Sequence, residues 1–405
     1  MKIFEGKHIL LGVTGSIAGY KAADLASKLA QSGAVVDVIL TQSAQEFVTP
    51  LTFQSVTGRQ AYTDKDLWGT RGHVVHIDLG RQADLLVIAP ATANTIARLA
   101  GGIADNLLCV TALAAACPLL IAPAMDGGMY RHPATQANVE RLRSQGVLFA
   151  GPASGHLASG QTGEGRLLEP AELFGHVRLA LARSGRLAGR KIVVTAGGTQ
   201  EPIDPVRVIS NRSSGKQGFA LAQAALDMGA RVTLITAPVC LETPIGADRI
   251  DIQTAAEMKA AVLSAAKDAD ILVMAAAVAD FRPAAPADDK LKKEQGIPTL
   301  VLEKTDDILA ALAEAKTTSG YPLVTVGFAA ESSRLTENAA RKLRTKRLDL
   351  IVANDISAKD AGFGSTENRV TLLGPDGAQQ DLPLMSKTSV AEIVLEQAAD
   401  RLPGA

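Results

Sequence analysis

Cysteine is scarce in this chain of 405 residues. The three cysteines, Cys109, Cys117 and Cys240, stand in apolar stretches with neither CxxC spacing nor a histidine cluster beside them. That pattern excludes a disulfide framework and a zinc site of the usual spacing. It is typical of buried thiols in a reduced compartment, so we expect a cytoplasmic protein.

An excess of charge of one sign and long apolar runs are also missing. The formal net charge is -1, so no whole-protein field favours nucleic acid or an anionic membrane. No uncharged run approaches the roughly 20 apolar residues of a membrane span, and Glu5, Lys7 and His8 interrupt any signal-peptide core. Apolar residues still make up 47% of the chain. We therefore expect a globular protein that holds any anionic ligand in a local site.

Short β-rich apolar runs alternate with helical patterns along the first half. HILLGV precedes the helical stretch SIAGYKAADLASKLAQSG, and VVDVILT, DLLVIAP and PLLIAPA follow. Strands that are apolar throughout and separated by helices indicate a parallel sheet covered on both faces. After SGRLAGRK, near residue 184, the scheme restarts with KIVVTAGG. We predict two doubly wound, Rossmann-like α/β domains, residues 1–187 and 188–405, the first flavodoxin-like.

The segment GVTGSIAG, residues 12–19, joins the first predicted strand to the first helix. Its backbone amides and the helix N-terminus can hold a phosphate, with Ser16 as the helix cap. The spacing is not GxGxxG, and the second strand ends in Thr41, Gln42 and Ser43. A dinucleotide fold has an acid there for the ribose hydroxyls. FMN therefore fits these residues better than NAD, with an NAD dehydrogenase as the generic alternative.

The strand DLLVIAP runs into PATANT, residues 90–95. Thr92, Asn94 and Thr95 should lie at the carboxyl edge of the sheet, where folds of this kind bind ligands. Their alternative role is helix capping.

Two other segments carry candidate groups. RGHVVHIDL contains His73 and His76, which are either structural or acid–base groups near neutral pH. HLASGQTGEG, residues 156–165, has three glycines and no apolar period. We expect this segment to be a loop.

Four segments taken together, GVTGSIAGYK, HIDLGRQADLLVIAPATANT, GGIADNLL and PAMDGGMY, resemble the flavin-containing cysteine decarboxylases. Within that group the chain is similar to the bifunctional phosphopantothenoylcysteine decarboxylases and phosphopantothenate-cysteine ligases of coenzyme A biosynthesis. The resemblance continues through the second half and covers nearly the whole chain.

The resemblance implies an FMN site and a decarboxylation. The flavin oxidises the cysteinyl thiol of the substrate to a thioaldehyde, and the neighbouring carboxylate then leaves as carbon dioxide. His76 matches the catalytic histidine, and the segment 156–166 matches the flap that covers the substrate. The residues that match the FMN site are Gly15, Ser16, Ile17, Thr41, Thr92, Ala93, Asn94 and Thr95.

The sequence departs from the family pattern at two catalytic positions. Asp126 stands where many members have the asparagine that binds the substrate carboxylate, and an aspartate repels that group unless it is protonated or offset by a cation such as Arg166. Ser159 stands where the flap usually has a cysteine that protonates the enethiol intermediate as the flavin returns its electrons, and a hydroxyl is a much weaker acid than a thiol.

The second half contains TAGGTQEPIDPVRVISNRSSGKQG, which has the glycine-then-lysine order of a P-loop but not its spacing. The resemblance implies that Asn211 positions an acyl-cytidylate made from 4′-phosphopantothenate and CTP, whose acyl carbon cysteine then attacks. Ser213, Ser214 and Lys216 would bind a phosphate group. In the segment DDKLKKEQG, Lys290 matches the catalytic lysine of a flexible loop, with Lys292 and Lys293 beside it; by itself the segment indicates a solvated basic loop.

The remaining implied contacts concern the nucleotide and Mg²⁺. Asp280 is also the candidate metal residue, through a water molecule. Without the resemblance, Phe328 is a core aromatic and Lys342 with Lys346 is a solvated helix face. The matching positions are Asp280, Asp307, Ile308, Phe328, Lys342 and Lys346.

The implied partners are small molecules: 4′-phosphopantothenate, cysteine and CTP, with FMN and Mg²⁺ as cofactors. We also expect a homo-oligomer, a dodecamer built from trimers, and neither nucleic acid nor a membrane as a partner. Two alternatives stay open. One is a monofunctional ligase with an inactive flavin domain, and the other is a flavoprotein that acts as a regulatory or interaction subunit.

Overall fold

The computed structural model describes residues 3–68, 74–158, 160–295, 297–331, 334–355 and 365–403. The chain divides between Leu181 and Ala182 into two compact units, which we call the amino-terminal and the carboxy-terminal unit.

The amino-terminal unit alternates strands and helices as the sequence predicts. Its strands are β1 (His8–Val13), β2 (Val35–Leu40), β3 (Ala61–Thr63), β4 (Leu85–Ala91), β5 (Leu119–Pro123), β6 (Leu148–Phe149), β7 (Ala153–His156) and β8 (Thr162–Arg166). Its helices are α1 (Gly19–Gln31), α2 (Pro50–Thr57), α3 (Val75–Gln82), α4 (Ala93–Gly101), α5 (Leu107–Ala114), α6 (Gly127–Arg131), α7 (Pro133–Ser144) and α8 (Pro170–Ala182).

Six strands of this unit form one parallel sheet in the order β3-β2-β1-β4-β5-β6. Successive side chains alternate between two apolar cores, so that Leu11 packs on one face and Leu10 on the other. The order reverses direction between β1 and β4, which is the switch point of a doubly wound fold. The predicted fold class is confirmed for this half.

The glycine-rich segment predicted to be a loop contains β-structure. β7 and β8 pair antiparallel, with Gly155 opposite Gly163 and His156 opposite Thr162. Glycines and polar residues give these strands no apolar alternation, so the sequence pattern could not indicate them. The hairpin is held by its backbone, because Met125 N–H donates to Gly165 C=O at 2.9 Å.

The carboxy-terminal unit repeats this organisation with more short strands. Its strands are β9 (Lys191–Ala196), β10 (Gln200–Pro202), β11 (Val208–Ser210), β12 (Arg231–Thr236), β13 (Ala247–Asp251), β14 (Ile271–Met274), β15 (Phe281–Pro283), β16 (Leu302–Lys304), β17 (Val324–Glu331), β18 (Leu350–Asp355), β19 (Glu367–Asn368), β20 (Val370–Leu373), β21 (Gln379–Asp381) and β22 (Met385–Ser386). Its helices are α9 (Lys216–Asp227), α10 (Ala255–Ala265), α11 (Ile308–Ser319), α12 (Leu335–Thr345) and α13 (Lys387–Ala399).

The main sheet of this unit has the order β13-β12-β9-β14-β17-β18-β20-β21. The first six strands are parallel, and they follow the same winding order as the amino-terminal sheet, with the switch point between β9 and β14. β20 and β21 are antiparallel additions at the edge. The predicted second parallel sheet is confirmed, but the sequence pattern did not indicate β13 or the two edge strands.

We predict opposite effects on stability for two glycine-to-alanine substitutions in helices. A Cβ at Gly218 in α9 would lie 2.5 Å from Ala196 Cβ and 2.8 Å from the Thr195 carbonyl oxygen, whereas at Gly101 in α4 its nearest neighbour would be Ile103 at 3.6 Å. Alanine otherwise stabilises a helix by up to about 1 kcal/mol relative to glycine. Gly218→Ala should therefore lower the free energy of unfolding by about 1–3 kcal/mol, and Gly101→Ala should not lower it.

Urea unfolding of the full-length variants measures both effects. A Gly218→Ala protein as stable as the parent would show that α9 can move away from β9.

Candidate active sites

A buried hydroxyl joins the ends of β1 and β4 at the switch point of the amino-terminal unit. Thr14 Oγ1 donates to the Pro90 carbonyl oxygen at 2.7 Å and accepts from Thr92 N–H at 3.0 Å. The turn at 15–17 and the turn at 92–95 are therefore held side by side at the carboxyl edge of the sheet.

The turn after β2 packs against the same place. A Cβ on Gly15 would lie 2.5 Å from Ser43 Cβ, so only glycine allows this approach without a shift of the backbone. The structure thus brings to one edge the residues predicted for FMN: Gly15, Ser16, Ile17, Thr41, Thr92, Ala93, Asn94 and Thr95.

The hydroxyls of these turns have local roles. Ser16 is not the cap of α1, because that helix begins at Gly19 with Ala18 as its N-cap; Ser16 Oγ instead accepts from Ala18 N–H at 3.3 Å. Thr41 caps the short 3-10 helix that follows it. Thr92 caps α4 by accepting from Thr95 N–H at 3.4 Å, so the capping alternative holds for Thr92, while the side chain of Asn94 is exposed.

A cavity of about 550 Å³ lies beside this edge, between the first turn, the loop after β5 and the β7–β8 hairpin. It brings Ser16 and Ile17 together with Asp126 and Arg166. Its other walls are formed by Ala18, Tyr20, Lys21, Ala124, Met125, His156, Leu157, Ala158, Gly165 and Leu167. His156 is a cavity residue that the sequence analysis did not select.

Asp126 is the N-cap of α6, and its Oδ1 accepts from Gly128 N–H at 2.8 Å. Two cations line the same cavity and share one carboxylate. Lys21, only 4% exposed, and Arg166 donate to Glu169 Oε1 at 2.9 Å and 2.5 Å. The hydrogen bond from Lys21 and the charges of both cations hold the pKa of Glu169 below its usual value. The three groups carry a net positive charge beside Asp126.

The other predicted residues of this unit lie elsewhere. His76 is half-buried in α3 and is not among the residues that line this cavity. His73 and Ser159 lie outside the described residues, so the structure gives no account of the serine of the flap.

A second cavity, of about 150 Å³, lies at the carboxyl edge of the sheet in the carboxy-terminal unit. It is lined by four of the predicted residues, Ser213, Ser214, Lys216 and Phe328, together with Gly215, Gln217, Gly218, Ala275, Ala276, Ala277, Ala329, Asn354, Asn368 and Lys387. Phe328 is half-buried and faces this cavity, so it is more than a core aromatic.

Asn211 is fixed beside this cavity by the loop after β14. Its Nδ2 donates to the carbonyl oxygens of Ala277 at 3.3 Å and Val278 at 3.1 Å. Buried threonines hold the same loop, since Thr199 Oγ1 accepts from Ala279 N–H at 2.9 Å. The amide hydrogens of Asn211 are thus used for orientation, and its Oδ1 is the group suited to meet a ligand.

The lysine-rich segment is anchored at Leu291. The buried Asp204 accepts from Leu291 N–H at 3.1 Å, and Arg207 donates to the Leu291 carbonyl oxygen at 2.8 Å. Asp204 and Arg207 also pair with each other, and this hydrogen bond holds the pKa of Asp204 far below its usual range. Lys290, one residue before the anchor, is exposed. The described part of this segment is therefore tied to the body of the unit.

Five of the six residues predicted for the nucleotide lie outside this cavity. Asp307 caps α11 and pairs with Lys346; burial raises its pKa, but the hydrogen bonds from Lys346 and Ala310 N–H outweigh burial and leave the pKa lowered. The Ile308 side chain is buried in the core, so only its backbone is suited to contact a ligand. Lys342 and Asp280 are exposed, and none of these five residues lines the cavity of about 150 Å³.

Four polar residues of this cavity, Gln217, Asn354, Asn368 and Lys387, were missed by the sequence analysis. Asn354 is the penultimate residue of the strand DLIVAND, and a polar residue near the end of a strand could have been selected by the rule used for PATANT. Asn368 and Lys387 had no such pattern, because β19 and α13 bring them to the cavity from distant sequence.

Comparison with known proteins covers both units. A flavoprotein family model matches residues 3–179, and a model of the carboxy-terminal domain of DNA/pantothenate metabolism flavoproteins matches residues 187–402. The coenzyme A biosynthesis bifunctional protein CoaBC of Bacillus subtilis (strain 168) is 47% identical over 400 residues, which is 98% of each chain. The chain belongs to the CoaBC family.

Other CoaBC proteins match equally fully. That of Vibrio cholerae is 46% identical over 98% of each chain, and that of Escherichia coli (strain K12) is 43% identical over 98% of this chain and 97% of its own. The resemblance drawn from the sequence motifs is confirmed.

Two further properties of the described residues concern membranes and metal ions. No helix in these ranges is long and apolar enough to span a membrane. In the same ranges no three His, Cys, Asp or Glu side chains cluster as metal ligands.

We predict that the Asp204 anchor controls access to the lysines of this CoaBC segment. Asp204→Asn removes the charge that pairs with Arg207 and loses charge-assisted hydrogen bonds, so Leu291 should be released more often. Tryptic cleavage after Lys290, Lys292 and Lys293 in the native protein should become about tenfold faster.

Mass spectrometry of a digestion time course measures the cleavage rates. Asp251→Asn is the matched control, because Asp251 pairs with Arg249 at the exposed end of β13. Equal cleavage in both variants would show that Asp204 does not hold the segment.

Proposed function

We propose that this chain catalyses two steps of coenzyme A biosynthesis. The carboxy-terminal unit condenses 4′-phosphopantothenate with cysteine at the expense of CTP, and the amino-terminal unit decarboxylates the product to 4′-phosphopantetheine. The observation that carries this proposal is the match to a bifunctional CoaBC protein along 98% of both chains, which includes both units and both cavities. We propose that the decarboxylase domain comprises residues 1–187 and the ligase domain residues 188–405.

In the amino-terminal unit, the carboxyl edge of the sheet has the features that an FMN site needs. The turn at 15–17 offers backbone amides that suit a phosphate, and the cavity beside it has apolar walls from Ile17, Met125 and Leu157 that suit a flat ring. Thr41 and the 92–95 turn complete the site we propose. The flavin would supply oxidation of the substrate thiol, and His76 would act as the acid–base group.

The cation pair explains how Asp126 could face an anionic substrate. Arg166 and Lys21 both line the cavity and share Glu169 as their only described carboxylate partner, so one positive charge is left to offset Asp126 or the substrate carboxylate. We propose that Arg166, the half-exposed member of the pair, takes the substrate carboxylate that an asparagine would bind.

The carboxy-terminal unit has the parts that acyl activation requires. Ser213, Ser214 and Lys216 would hold a phosphate group, and Asn211 Oδ1 would orient the acyl-cytidylate. Lys290 would bring a positive charge to the leaving pyrophosphate. Phe328, Lys342, Lys346, Asp307 and the backbone of Ile308 would bind the nucleotide. Mg²⁺ would enter with the phosphates of CTP and meet Asp280 through water.

We propose that this chain forms a homo-oligomer. Exposed apolar side chains in the amino-terminal unit, such as Ile17 at 58% and Tyr20 at 63%, lie at the cavity mouth. A second copy that covers them would complete the site, in line with the proposed homo-oligomer of up to twelve chains. We place this enzyme in the cytoplasm.

Two single substitutions should separate the two activities in the FMN-loaded protein. His76→Asn should slow carbon dioxide release from 4′-phosphopantothenoylcysteine by about 10²–10⁴-fold and leave CTP-dependent pyrophosphate release unchanged. Lys290→Gln should do the reverse. Both rates are measured on each variant, together with the mass of the thiol product, because Ser159 in place of cysteine could let a product two hydrogens lighter escape.

The alternatives predict other outcomes. Pyrophosphate release without carbon dioxide from the parent protein would mean a monofunctional ligase with an inactive flavin domain. Neither activity from flavin-loaded protein would mean a regulatory or interaction subunit and would refute the proposal.

A double-mutant cycle tests the role given to Arg166. Arg166→Met should raise KM for 4′-phosphopantothenoylcysteine about tenfold in the parent, but less in Asp126→Asn, where no aspartate charge has to be offset. Arg141→Met, an exposed change on α7, is the control and should leave KM unaltered. Equal effects of Arg166→Met in both backgrounds would show that Arg166 does not compensate Asp126.

A further inference from the structure

The cavity of about 150 Å³ contains a cation that lies outside the SSGK motif. Lys387 is the first residue of α13 and is only 8% exposed. Its Nζ donates to the Ser365 carbonyl oxygen at 2.8 Å, and its backbone N–H donates to the Thr366 carbonyl oxygen at 3.0 Å. The side chain is therefore fixed where it lines the cavity together with Lys216.

Two ammonium groups in one small cavity repel each other. Burial, and next to it the charge of Lys216, lower the pKa of Lys387. An anion that binds between the two groups would offset their repulsion and the loss of hydration. The first turn of α9 lies at the same cavity and directs backbone amides and the positive end of the helix dipole toward such an anion.

The walls also contain acceptors that lack a donor. Asn354 Oδ1 and Gln217 Oε1 are buried and have no hydrogen-bond partner among the described residues. Gln217 Nε2 donates to the Lys387 carbonyl oxygen at 3.2 Å, which ties the first turns of α9 and α13 together. A fully deprotonated inorganic anion such as sulfate has no hydrogen to give these acceptors, whereas a ligand with a hydroxyl or an amide N–H next to its phosphate does.

We propose that this cavity is a phosphate subsite of the ligase half and that Lys387 is its second cationic residue, opposite Lys216. It takes the phosphate of an organic phosphate that also carries a hydroxyl or amide donor for Asn354 and Gln217. Its volume is several times the roughly 10–15 Å³ that one water molecule needs. The assignment rests on the proposed ligase activity, whose two phosphorylated substrates, 4′-phosphopantothenate and CTP, both have this chemistry.

Steady-state kinetics of pyrophosphate release by the full-length, FMN-loaded protein identify the source of the phosphate. Lys387→Met should raise KM for one of the two substrates by about ten- to a hundredfold, the effect of losing one charge-assisted hydrogen bond, and leave the other nearly unchanged. The affected substrate is the one whose phosphate occupies the cavity. Lys387→Arg should restore most of the affinity. Lys267→Met, an exposed lysine in the same unit, is the control and should have no effect.

Calorimetric titration with sodium pyrophosphate tests the cavity without turnover. Lys387→Met should weaken binding by at least tenfold relative to the parent and to Lys267→Met. If the parent protein shows no ligase activity, this titration still decides the subsite. If Lys387→Met does not fold, Asn354→Asp is the variant to titrate instead. A carboxylate added to the cavity wall should also weaken pyrophosphate binding.

Two outcomes would contradict the proposed phosphate subsite. Parent-like KM values and parent-like pyrophosphate binding in a folded Lys387→Met protein would refute the subsite. So would a Lys387→Arg protein as impaired as Lys387→Met with an equally lowered melting temperature, because Lys387 would then serve only to hold Ser365.

Discussion

In both units a buried threonine hydroxyl joins the two strands that flank the switch point. Thr14 connects the end of β1 to the residues after β4, and Thr195 Oγ1 accepts from Ala276 N–H, just after β14, at 3.1 Å. At a switch point the segments that follow the two neighbouring strands leave the sheet toward opposite faces. The backbone N–H and C=O groups of these segments therefore lose the hydrogen-bond partners that a neighbouring strand would give them. A hydroxyl can donate and accept at once, and it satisfies these groups without closing the crevice. Both candidate sites depend on that opening.

The strand order could be predicted in outline because apolar runs and helices alternate along the chain. The predicted helical stretch SIAGYKAADLASKLAQSG contains α1 (Gly19–Gln31), since glycine-containing turns mark both of its ends. The hairpin at 153–166 and the edge strands β20 and β21 could not be predicted, because their pairing is made by backbone groups and by distant partners. Lys387 was missed for the same reason: its place in the cavity depends on the packing of α13 against α9.

Local charge matters more than net charge in this protein. The whole chain carries a formal charge of -1, yet each cavity has two cations in its wall. In the amino-terminal unit Lys21 and Arg166 are bridged by Glu169, whose negative charge offsets part of their positive charge. In the carboxy-terminal unit Lys216 and Lys387 line one cavity, and burial together with the charge of Lys216 lowers the pKa of Lys387. An anionic ligand would offset positive charge in both cavities.

The structure also accounts for the tolerance of aspartate at position 126. Asp126 caps α6 through Gly128 N–H, and asparagine and aspartate are about equally good at this position of a helix. Exchange between them keeps the turn after β5 and alters only the charge that faces the cavity. A charge can be offset from a distance by neighbours such as Arg166, whereas a lost cap would move the turn itself. The residue at position 126 must therefore be able to cap α6. It can be charged or neutral as long as Lys21 and Arg166 remain in the cavity wall.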